Sequence, residues 1–324
     1  MGSDLLSIHN LRTIFYTDFG PIRAVDGVSL SMGNGETIGV VGESGCGKSV
    51  TARSILRLIP QPPGKIESGE IIFEGKNLLK LTHTEMRKIR GNKISMIFQD
   101  PMTSLNPVFR VGKQISEAIK IHQGFSQKEA IEKSVEMLKM VGIPSPGRRV
   151  LDYPHQLSGG MRQRVMIAMA LSCRPKLMIA DEPTTALDVT IQAQILNLME
   201  KLKEETGASI ILITHNLGIV AQIAQKVIVM YAGRIFEYAP VKDLFKKHYH
   251  PYTENLLKAI PKYDSSGVRK RLHVIPGMVP SLLNLPRGCK LSNRCNRAFA
   301  KCFEEEPGLF ELEPGHVARC WLYI

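Results

Sequence analysis

Residues 42–49 read Gly-Glu-Ser-Gly-Cys-Gly-Lys-Ser and fit the pattern G-x-x-x-x-G-K-[ST]. They follow an apolar run typical of a strand, Thr37 to Val41, and precede a helical pattern, Val50 to Leu58. In this context the glycines let backbone N–H groups turn inward to bind an anion, and the N-terminus of the helix adds partial positive charge. We expect Lys48 to reach the β- and γ-phosphates of a nucleotide and the Ser49 hydroxyl to bind Mg²⁺. The stretch therefore predicts a nucleoside triphosphate site on an α/β core.

This phosphate loop also contains a thiol, Cys46. Cys46 is either a small filler or, beside a helix N-terminus and Lys48, a reactive thiol with a lowered pKa. In the second case alkylation should block nucleotide binding, and ATP should protect the thiol. The residues of this stretch that we expect to line the nucleotide are Gly42, Glu43, Ser44, Gly45, Cys46, Gly47, Lys48, Ser49 and Val50.

Length and composition indicate a globular protein with room for a full α/β core and one smaller module. The chain has 324 residues, of which 44% are apolar and 22% charged. No apolar run approaches the roughly 18–20 residues that span a bilayer, and residues 1–10 lack a secretory pattern, so we expect a cytosolic chain. The net charge of +12 leaves open nucleic-acid binding, contact with an anionic membrane face, and simple solubility. The scattered basic residues favour solubility.

The first 36 residues alternate weakly in hydropathy, as short antiparallel strands do. Phe15 and Tyr16 lie in this region and are candidates to stack on a nucleotide base. Two more strand patterns follow at residues 70–73 and 93–98, and residues 227–237 resemble a hairpin around Ala232-Gly233.

Polar side chains follow three apolar strand patterns at the point where each pattern ends. Gln99 follows residues 93–98, Asp181 and Glu182 are the last two residues of a predicted strand that begins at Leu177, and His215 comes shortly after Ser209 to Ile213. The carboxyl ends of parallel strands meet at one edge of a sheet, where ligands bind. We expect Gln99 to touch a metal or the attacking water, Asp181 to hold Mg²⁺, and Glu182 to orient or deprotonate that water.

Residues from about 100 to 165 form a mainly helical insert in this interpretation. Ser126 and Glu129 form a capping box, and Gly142 with Pro144 ends the helix that it begins. Ser158-Gly159-Gly160 opens a further helix, an arrangement that binds anions through backbone donors and a hydroxyl. After Asp188 an amphipathic helix is predicted, with one apolar stripe formed by Ile191, Ile195, Leu198 and Leu202.

Taken together and in this order, GESGCGKS, Gln99, LSGGM, LMIADE, TALD and His215 resemble the ATP-binding subunit of an ABC transporter. The resemblance covers residues 1 to about 240. It implies a P-loop NTPase (RecA-like) α/β core with an antiparallel β subdomain and a helical insert. It also implies that two subunits sandwich two ATP molecules between the phosphate loop of one and Ser158-Gly159-Gly160 of the other. Phe15 matches the base-stacking position, with Tyr16 as the fallback.

The same resemblance implies roles for the polar residues at the strand ends. Gln99 would sense Mg²⁺ and the attacking water, and Glu182 would be the catalytic base. His215 would contact the γ-phosphate, and Asp188 would communicate across the dimer. Ser49, Gln99 and Asp181 would be the magnesium ligands.

A narrower resemblance comes from QDPMTSLNP at residues 99–107, HPYTENLLKAIP at residues 250–261 and the continuation from Ile275 to Trp321. These stretches are similar to the oligopeptide and dipeptide importers, including their C-terminal extension, so we divide the chain into residues 1–240 and 241–324. Relatives that import nickel or glutathione share much of this pattern.

The implied partners are a homologous ATPase subunit, two membrane permease subunits and, indirectly, an extracytoplasmic peptide-binding protein. A heterodimer is usual in this subfamily, and a homodimer remains an alternative. The resemblance also implies a peripheral protein on the cytoplasmic face of the membrane.

Two other classes compete with the transporter. A nucleic-acid-handling ABC ATPase fits the net charge, but repair relatives carry a long coiled-coil insert and translation relatives usually carry two ATPase modules. A metal-sensing regulatory ATPase would rest on the C-terminal cysteines alone. We therefore expect no nucleic-acid partner. Co-purification with hydrophobic membrane subunits would separate the transporter from both alternatives.

Four of the six cysteines lie near the C-terminus with the spacing C-x5-C-x6-C-x17-C: Cys289, Cys295, Cys302 and Cys320. Disulfides are disfavoured in a cytosolic protein, and structural zinc usually shows closer C-x2-4-C pairs. A [4Fe–4S] cluster needs four thiolates, and Pro286, Gly288 and Pro307 indicate a loop that could wrap one. We predict a [4Fe–4S] cluster, with Zn²⁺ as the alternative and four unconnected thiols as the simplest explanation.

Overall fold

The structure is a computed structural model that describes residues 4–100, 104–185, 187–260 and 275–324. It forms two compact units. The first contains Met1–Met32, Thr37–Leu79 and Leu212–Ile324, and the second contains Gly33–Glu36 and Lys80–Ile211. Parts of three predicted motifs lie outside the described residues, namely Pro101, Met102 and Thr103 of QDPMTSLNP, Ala186 of TALD, and Pro261 of HPYTENLLKAIP.

Twelve strands and eleven α-helices are named here within the described ranges. The strands are β1 (Leu6–Thr17), β2 (Gly20–Met32), β3 (Thr37–Val41), β4 (Gly64–Phe73), β5 (Lys76–Asn77), β6 (Ile94–Ile97), β7 (Leu177–Asp181), β8 (Ser209–Ile213), β9 (Lys226–Tyr231), β10 (Arg234–Pro240), β11 (Phe310–Glu313) and β12 (His316–Ala318). The helices are α1 (Lys48–Ile55), α2 (His83–Ile89), α3 (Val111–Gln123), α4 (Gln127–Met140), α5 (Pro146–Arg149), α6 (Gly159–Leu171), α7 (Val189–Thr206), α8 (Leu217–Ile223), α9 (Val241–Lys246), α10 (Pro251–Lys258) and α11 (Ala300–Glu304).

An antiparallel sheet in the order β2-β1-β4-β5 begins the first unit. β1 and β2 have 12 and 13 residues, so the prediction of short strands here was wrong. The register of β1 against β2 shifts between Ile8 and Leu11, and Asn10 between them has a φ of 47°. A register shift moves side chains to the other face of a sheet. This explains why the alternation looked weak although the strands are long.

Five strands of a second sheet lie in the first unit, in the order β11-β12-β10-β9-β3. β3 pairs with β9 in parallel, and all five residues of β3 are buried. The predicted hairpin between β9 and β10 is confirmed, since Ala232 and Gly233 both have positive φ angles, as a two-residue type I′ turn requires. The buried core of this sheet includes Tyr231, Tyr252 and Cys289. It therefore contains side chains from both the β9–β10 hairpin and the C-terminal segment.

The second unit contains the parallel pair β6 and β7, with β7 next to the start of β8. The capping box of Ser126 and Glu129 is confirmed at the start of α4. The helix after Asp188 is also present as α7, but its buried residues are Ile195, Leu196, Met199 and Leu202. Ile191 and Leu198, which we placed on the buried stripe, are only half-buried. Ile195 and Leu202 of the predicted stripe are thus confirmed as buried, whereas Leu196 and Met199 are buried in place of Ile191 and Leu198.

None of the helices in the described ranges is both long and apolar enough to cross a membrane.

Candidate functional site

The phosphate loop joins β3 to α1 in the first unit, as the sequence predicts. The helix begins at Lys48, two residues earlier than expected, and ends at Ile55. A Cβ added to Gly42 would lie 2.2 Å from the carbonyl oxygen of Met230, and one added to Gly47 would lie 2.3 Å from that of Ala24. Both glycines also have positive φ angles, 151° and 103°. Only glycine fits these two positions, because the loop is pressed against neighbouring backbone.

Lys48 lies folded over this loop and is 6% exposed. Its Nζ atom donates to the carbonyl oxygens of Gly42 at 2.8 Å and Glu43 at 3.0 Å. Gly47 occupies the N-cap position of α1, and no side chain accepts a capping hydrogen bond there. The arrangement therefore places an ammonium group and an uncapped helix N-terminus at one loop, which is the chemistry that binds phosphate.

Cys46 is buried inside the same loop and only 1% exposed. Burial raises the pKa of its thiol, and the nearby Lys48 ammonium offsets this only in part. The lowered pKa that a reactive thiol would need is therefore contradicted. Cys46 acts as a filler that packs the inside of the loop.

Glu43 is held by two residues that the sequence interpretation missed. Arg294 donates to both carboxylate oxygens of Glu43, from NH1 to Oε2 at 2.8 Å and from NH2 to Oε1 at 2.9 Å. The backbone N–H of Glu43 donates to the Tyr252 hydroxyl at 3.0 Å. Both partners lie more than 200 positions further along the chain. No local pattern connects them to the loop, so sequence reasoning had no signal for these contacts.

Phe15 and His215 also lie in the first unit. Phe15 is half-buried on β1, opposite Ile22 and Gly64, and its ring fills the space that a Cβ on Gly64 would occupy. Tyr16 is 57% exposed. His215 is exposed and lies two residues after β8. Phe15 is thus packed in place, whereas the Tyr16 side chain is mostly exposed.

In the second unit the structure brings Gln99 and Glu182 together. Gln99 Nε2 donates to Glu182 Oε2 at 3.2 Å, and Thr185 Oγ1 donates to the same oxygen at 2.9 Å. Asp181 is fully buried as the last residue of β7. The predicted strand included Glu182, but this residue leaves the strand with a φ of 47°. Such a conformation costs about 1–2 kcal/mol, and it turns the carboxylate away from the strand direction toward its two donors.

Ser158 and Asp188 each cap a helix of the second unit. Ser158 Oγ accepts from the Met161 N–H at 3.4 Å at the start of α6, and Asp188 Oδ1 accepts from the Ile191 N–H at 2.9 Å at the start of α7. Both side chains are exposed. A Cβ on Gly159 would lie 4.0 Å from the Leu187 side chain and one on Gly160 3.0 Å from the Ile191 side chain, so this helix start is approached by side chains and not by backbone.

The four C-terminal cysteines line one small cavity of the first unit, together with His250, Leu291 and Trp321. All six cysteines of the chain are free thiols. The cavity volume is about 10 Å³, room for at most about one water. Within the described ranges no three His, Cys, Asp or Glu side chains are arranged to hold a metal ion. The structure thus gathers the four sulfur atoms but gives the expected iron–sulfur cluster no support.

Burial dominates the electrostatics of this cysteine pocket. It raises the pKa of Cys289 to about 12 and that of Cys320 to about 11, and it also raises the pKa of Cys295. The neighbouring cysteines add to the shift at Cys289. A metal that binds these thiols would have to displace their protons.

Comparisons with known proteins agree with the site. The family described as ABC transporter matches residues 25–185, and the family described as oligopeptide/dipeptide transporter, C-terminal region, matches residues 236–302. A probable peptide ABC transporter ATP-binding protein of Sinorhizobium fredii is 56% identical, covering 98% of this chain and 94% of that protein. The oligopeptide transport ATP-binding protein AppD of Bacillus subtilis is 52% identical, covering 99% and 97%.

A solved structure shares the fold. The dimeric, post-hydrolysis state of the ATP-binding cassette MJ0796 bound to ADP and Pi superposes with a TM-score of 0.66 at 29% identity, covering 73% of this chain and 98% of that one. With relatives above 50% identity over nearly its whole length, the chain belongs to the ABC transporter ATP-binding proteins, and it carries the C-terminal region of their oligopeptide/dipeptide transporters.

Proposed function

We propose that this chain powers the import of dipeptides or oligopeptides by hydrolysing ATP. The observation that carries the proposal is the presence in one chain of the phosphate loop and the C-terminal region of oligopeptide/dipeptide transporters. Two relatives named for peptide transport support it. We assign residues 1–240 to the ATPase, with the helical insert at about 100–165, and residues 241–324 to the extension.

In the proposed reaction, the phosphate loop binds the β- and γ-phosphates of ATP through backbone N–H groups and Lys48, while Phe15 stacks on the base. Ser49, Gln99 and Asp181 would hold Mg²⁺, which would supply positive charge to neutralise the phosphate oxygens. Glu182 takes a proton from the attacking water as the new P–O bond forms and the bond to ADP breaks. The two hydrogen bonds that Glu182 accepts from Gln99 and Thr185 support this role, because they orient the carboxylate. His215 contacts the γ-phosphate.

The second half of each site comes from another ATPase subunit in this proposal. Ser158, Gly159 and Gly160 would face the nucleotide bound by that subunit, and Asp188 would contact it across the dimer. The exposed start of α6 supports this assignment. We expect the other subunit to be a homologous ATPase rather than a second copy. Two membrane permeases and an extracytoplasmic peptide-binding protein complete the transporter, with this chain peripheral on the cytoplasmic face.

We propose this cysteine pocket as the site of a [4Fe–4S] cluster, with Zn²⁺ as the alternative; because the cavity has room for only about one water, the four thiols would have to move apart to admit the cluster. Four free cysteines around one cavity are the donor set that either group uses. We assign the pocket no step in ATP hydrolysis. Iron and acid-labile sulfide in anaerobically purified protein would support the cluster, and stoichiometric zinc would support the alternative. A colourless protein without either metal would overturn both.

The test of the proposed function is native purification of the complex, identification of its subunits and reconstitution into proteoliposomes. We expect ATP-dependent uptake of labelled dipeptides or oligopeptides that Glu182→Gln abolishes while ATP still binds. Uptake of Ni²⁺ or glutathione in place of peptides would move the substrate to those relatives. ATP hydrolysis stimulated by RNA or DNA in the absence of membrane subunits would contradict the transporter.

A further inference from the structure

Glu43 places a carboxylate in a loop that has to accept several phosphate charges. An uncompensated carboxylate at this position would repel a nucleotide. Arg294 removes that problem, because its guanidinium binds both carboxylate oxygens at 2.8 and 2.9 Å. The Arg294 side chain is only 5% exposed, so water screens the pair weakly. Such a bidentate pair is strong and has a defined geometry.

Arg294 is itself held firmly by the C-terminal segment and by β9. Its Nε atom donates to the carbonyl oxygen of Pro276 at 2.9 Å, and NH1 also donates to the Tyr231 hydroxyl at 3.2 Å. Its backbone N–H donates to the carbonyl oxygen of Leu291 at 2.8 Å, within the turn that continues to Cys295. The guanidinium that binds Glu43 is therefore also anchored by the extension and by β9.

Glu43 is also the residue through which this contact reaches the nucleotide-binding groups. Its carbonyl oxygen accepts from Lys48 Nζ at 3.0 Å, and its backbone N–H donates to the Tyr252 hydroxyl at 3.0 Å. Arg294 and Tyr252 thus fix the side chain and the backbone of one loop residue. Lys48 donates a hydrogen bond to that same residue.

We propose that Arg294 is a positioning residue of the phosphate loop, which neutralises Glu43 and thereby lets the C-terminal extension set the affinity of the chain for MgATP. This inference rests on the proposed role of the phosphate loop in ATP binding. Arg294 does not touch the nucleotide in this proposal. It acts through the charge and the orientation of Glu43.

The test measures MgATP affinity of the full-length protein by calorimetric titration. We expect Arg294→Gln to weaken binding about tenfold, because it leaves the negative charge of Glu43 uncompensated within the phosphate loop. The double variant Glu43→Gln/Arg294→Gln should restore affinity to within about threefold of the wild type, because the repelling charge is gone. Arg297→Gln is the matched control, since Arg297 lies in the same segment but pairs with Glu254 at the surface; its affinity should not change.

The outcomes separate a positioning role from a structural one. If Arg294 only helped the extension to fold, removing the charge of Glu43 would not restore binding, and failure of the double variant would overturn the proposal. Wild-type affinity in Arg294→Gln would overturn it as well. If Arg294→Gln does not fold, Glu43→Gln decides: equal or tighter MgATP binding supports the proposal, and weaker binding contradicts it. A wild type whose MgATP binding is insensitive to Lys48→Ala would instead refute the proposed role of the loop.

Discussion

The phosphate loop before α1 and the Ser158–Gly160 stretch before α6 both place glycines at a helix N-terminus, yet they are built differently. Gly42 and Gly47 of the first are pressed against backbone carbonyl oxygens, and its own Lys48 folds over it. In the second, the glycines approach only side chains, and Ser158 caps its own helix at an exposed surface. One anion site is closed by its own unit, whereas the other is left open. This difference is consistent with the proposed site shared between two subunits.

The largest effect that tests this comparison is expected at Gly47. Gly47→Ala should abolish nucleotide binding and lower the free energy of unfolding by about 3 kcal/mol or more, because its Cβ meets the Ala24 carbonyl oxygen and its φ suits only glycine. Gly45→Ala is the control, since it adds a Cβ at a positive φ but meets nothing within 4 Å; we expect about 1 kcal/mol. Denaturant unfolding and MgATP titration measure both variants. Similar losses in the two would show that the loop is not tightly closed.

The next effect separates the two sites by the state of the protein. In the isolated chain Lys48→Ala should weaken MgATP binding about 100-fold, since it removes a charged donor to the phosphates. Ser158→Ala should change that binding less than about twofold, yet lower the ATPase rate of the assembled transporter about tenfold. Titration of the isolated chain and steady-state ATPase assays of the complex provide the two readouts. Weakened binding by Ser158→Ala in the isolated chain would mean that both stretches serve the same nucleotide.

A smaller effect concerns the packing inside the closed loop. Because burial raises the pKa of Cys46, little thiolate exists at pH 7, and alkylation should be at least about tenfold slower than for free cysteine. The rate should rise as the pH increases toward the raised pKa. Mass spectrometry of alkylated peptides over a pH series measures it. Fast alkylation at pH 7, with protection by ATP, would contradict the filler role.

The smallest effect is the stability contributed by the cap of the open site. Ser158→Ala should lower the free energy of unfolding by about 1 kcal/mol through loss of the α6 cap. Ser126→Ala, which removes the cap of α4 in the same unit, is the matched control and should cost about the same. A clearly larger decrease in the free energy of unfolding for Ser158→Ala would indicate that Ser158 stabilises the fold through contacts other than the cap.

Sequence reasoning succeeded where function depends on contiguous residues or on strand ends. The phosphate loop lies within eight positions, and Gln99 meets Glu182 because both follow neighbouring parallel strands. It failed for contacts between residues that are far apart in the sequence, such as those of Arg294 and Tyr252 with Glu43. The prediction that the four C-terminal cysteines lie together is confirmed. Their spacing along the chain did not show that their side chains would not be arranged to bind a metal.

Local periodicity was a weaker guide to which side of an element is buried. On α7 the stripe was shifted, because Leu196 and Met199 pack inward where Ile191 and Leu198 were expected. On β1 the register shift near Asn10 disguised a long strand. In both cases the elements packed against the helix or strand determine which of its faces is buried. The sequence of the helix or strand alone does not specify that face.

The pairing of β12 with β10 has a consequence for the independence of the extension. His316 of β12 reaches Glu237 of β10 at 2.7 Å, and both side chains are almost fully buried. A chain shortened before β11 would expose the bare edge of β10 and remove the His316 partner of Glu237, and such edges recruit other strands. The C-terminal extension is therefore no detachable tail: it completes the sheet that carries β3, and a shortened ATPase would be prone to self-association.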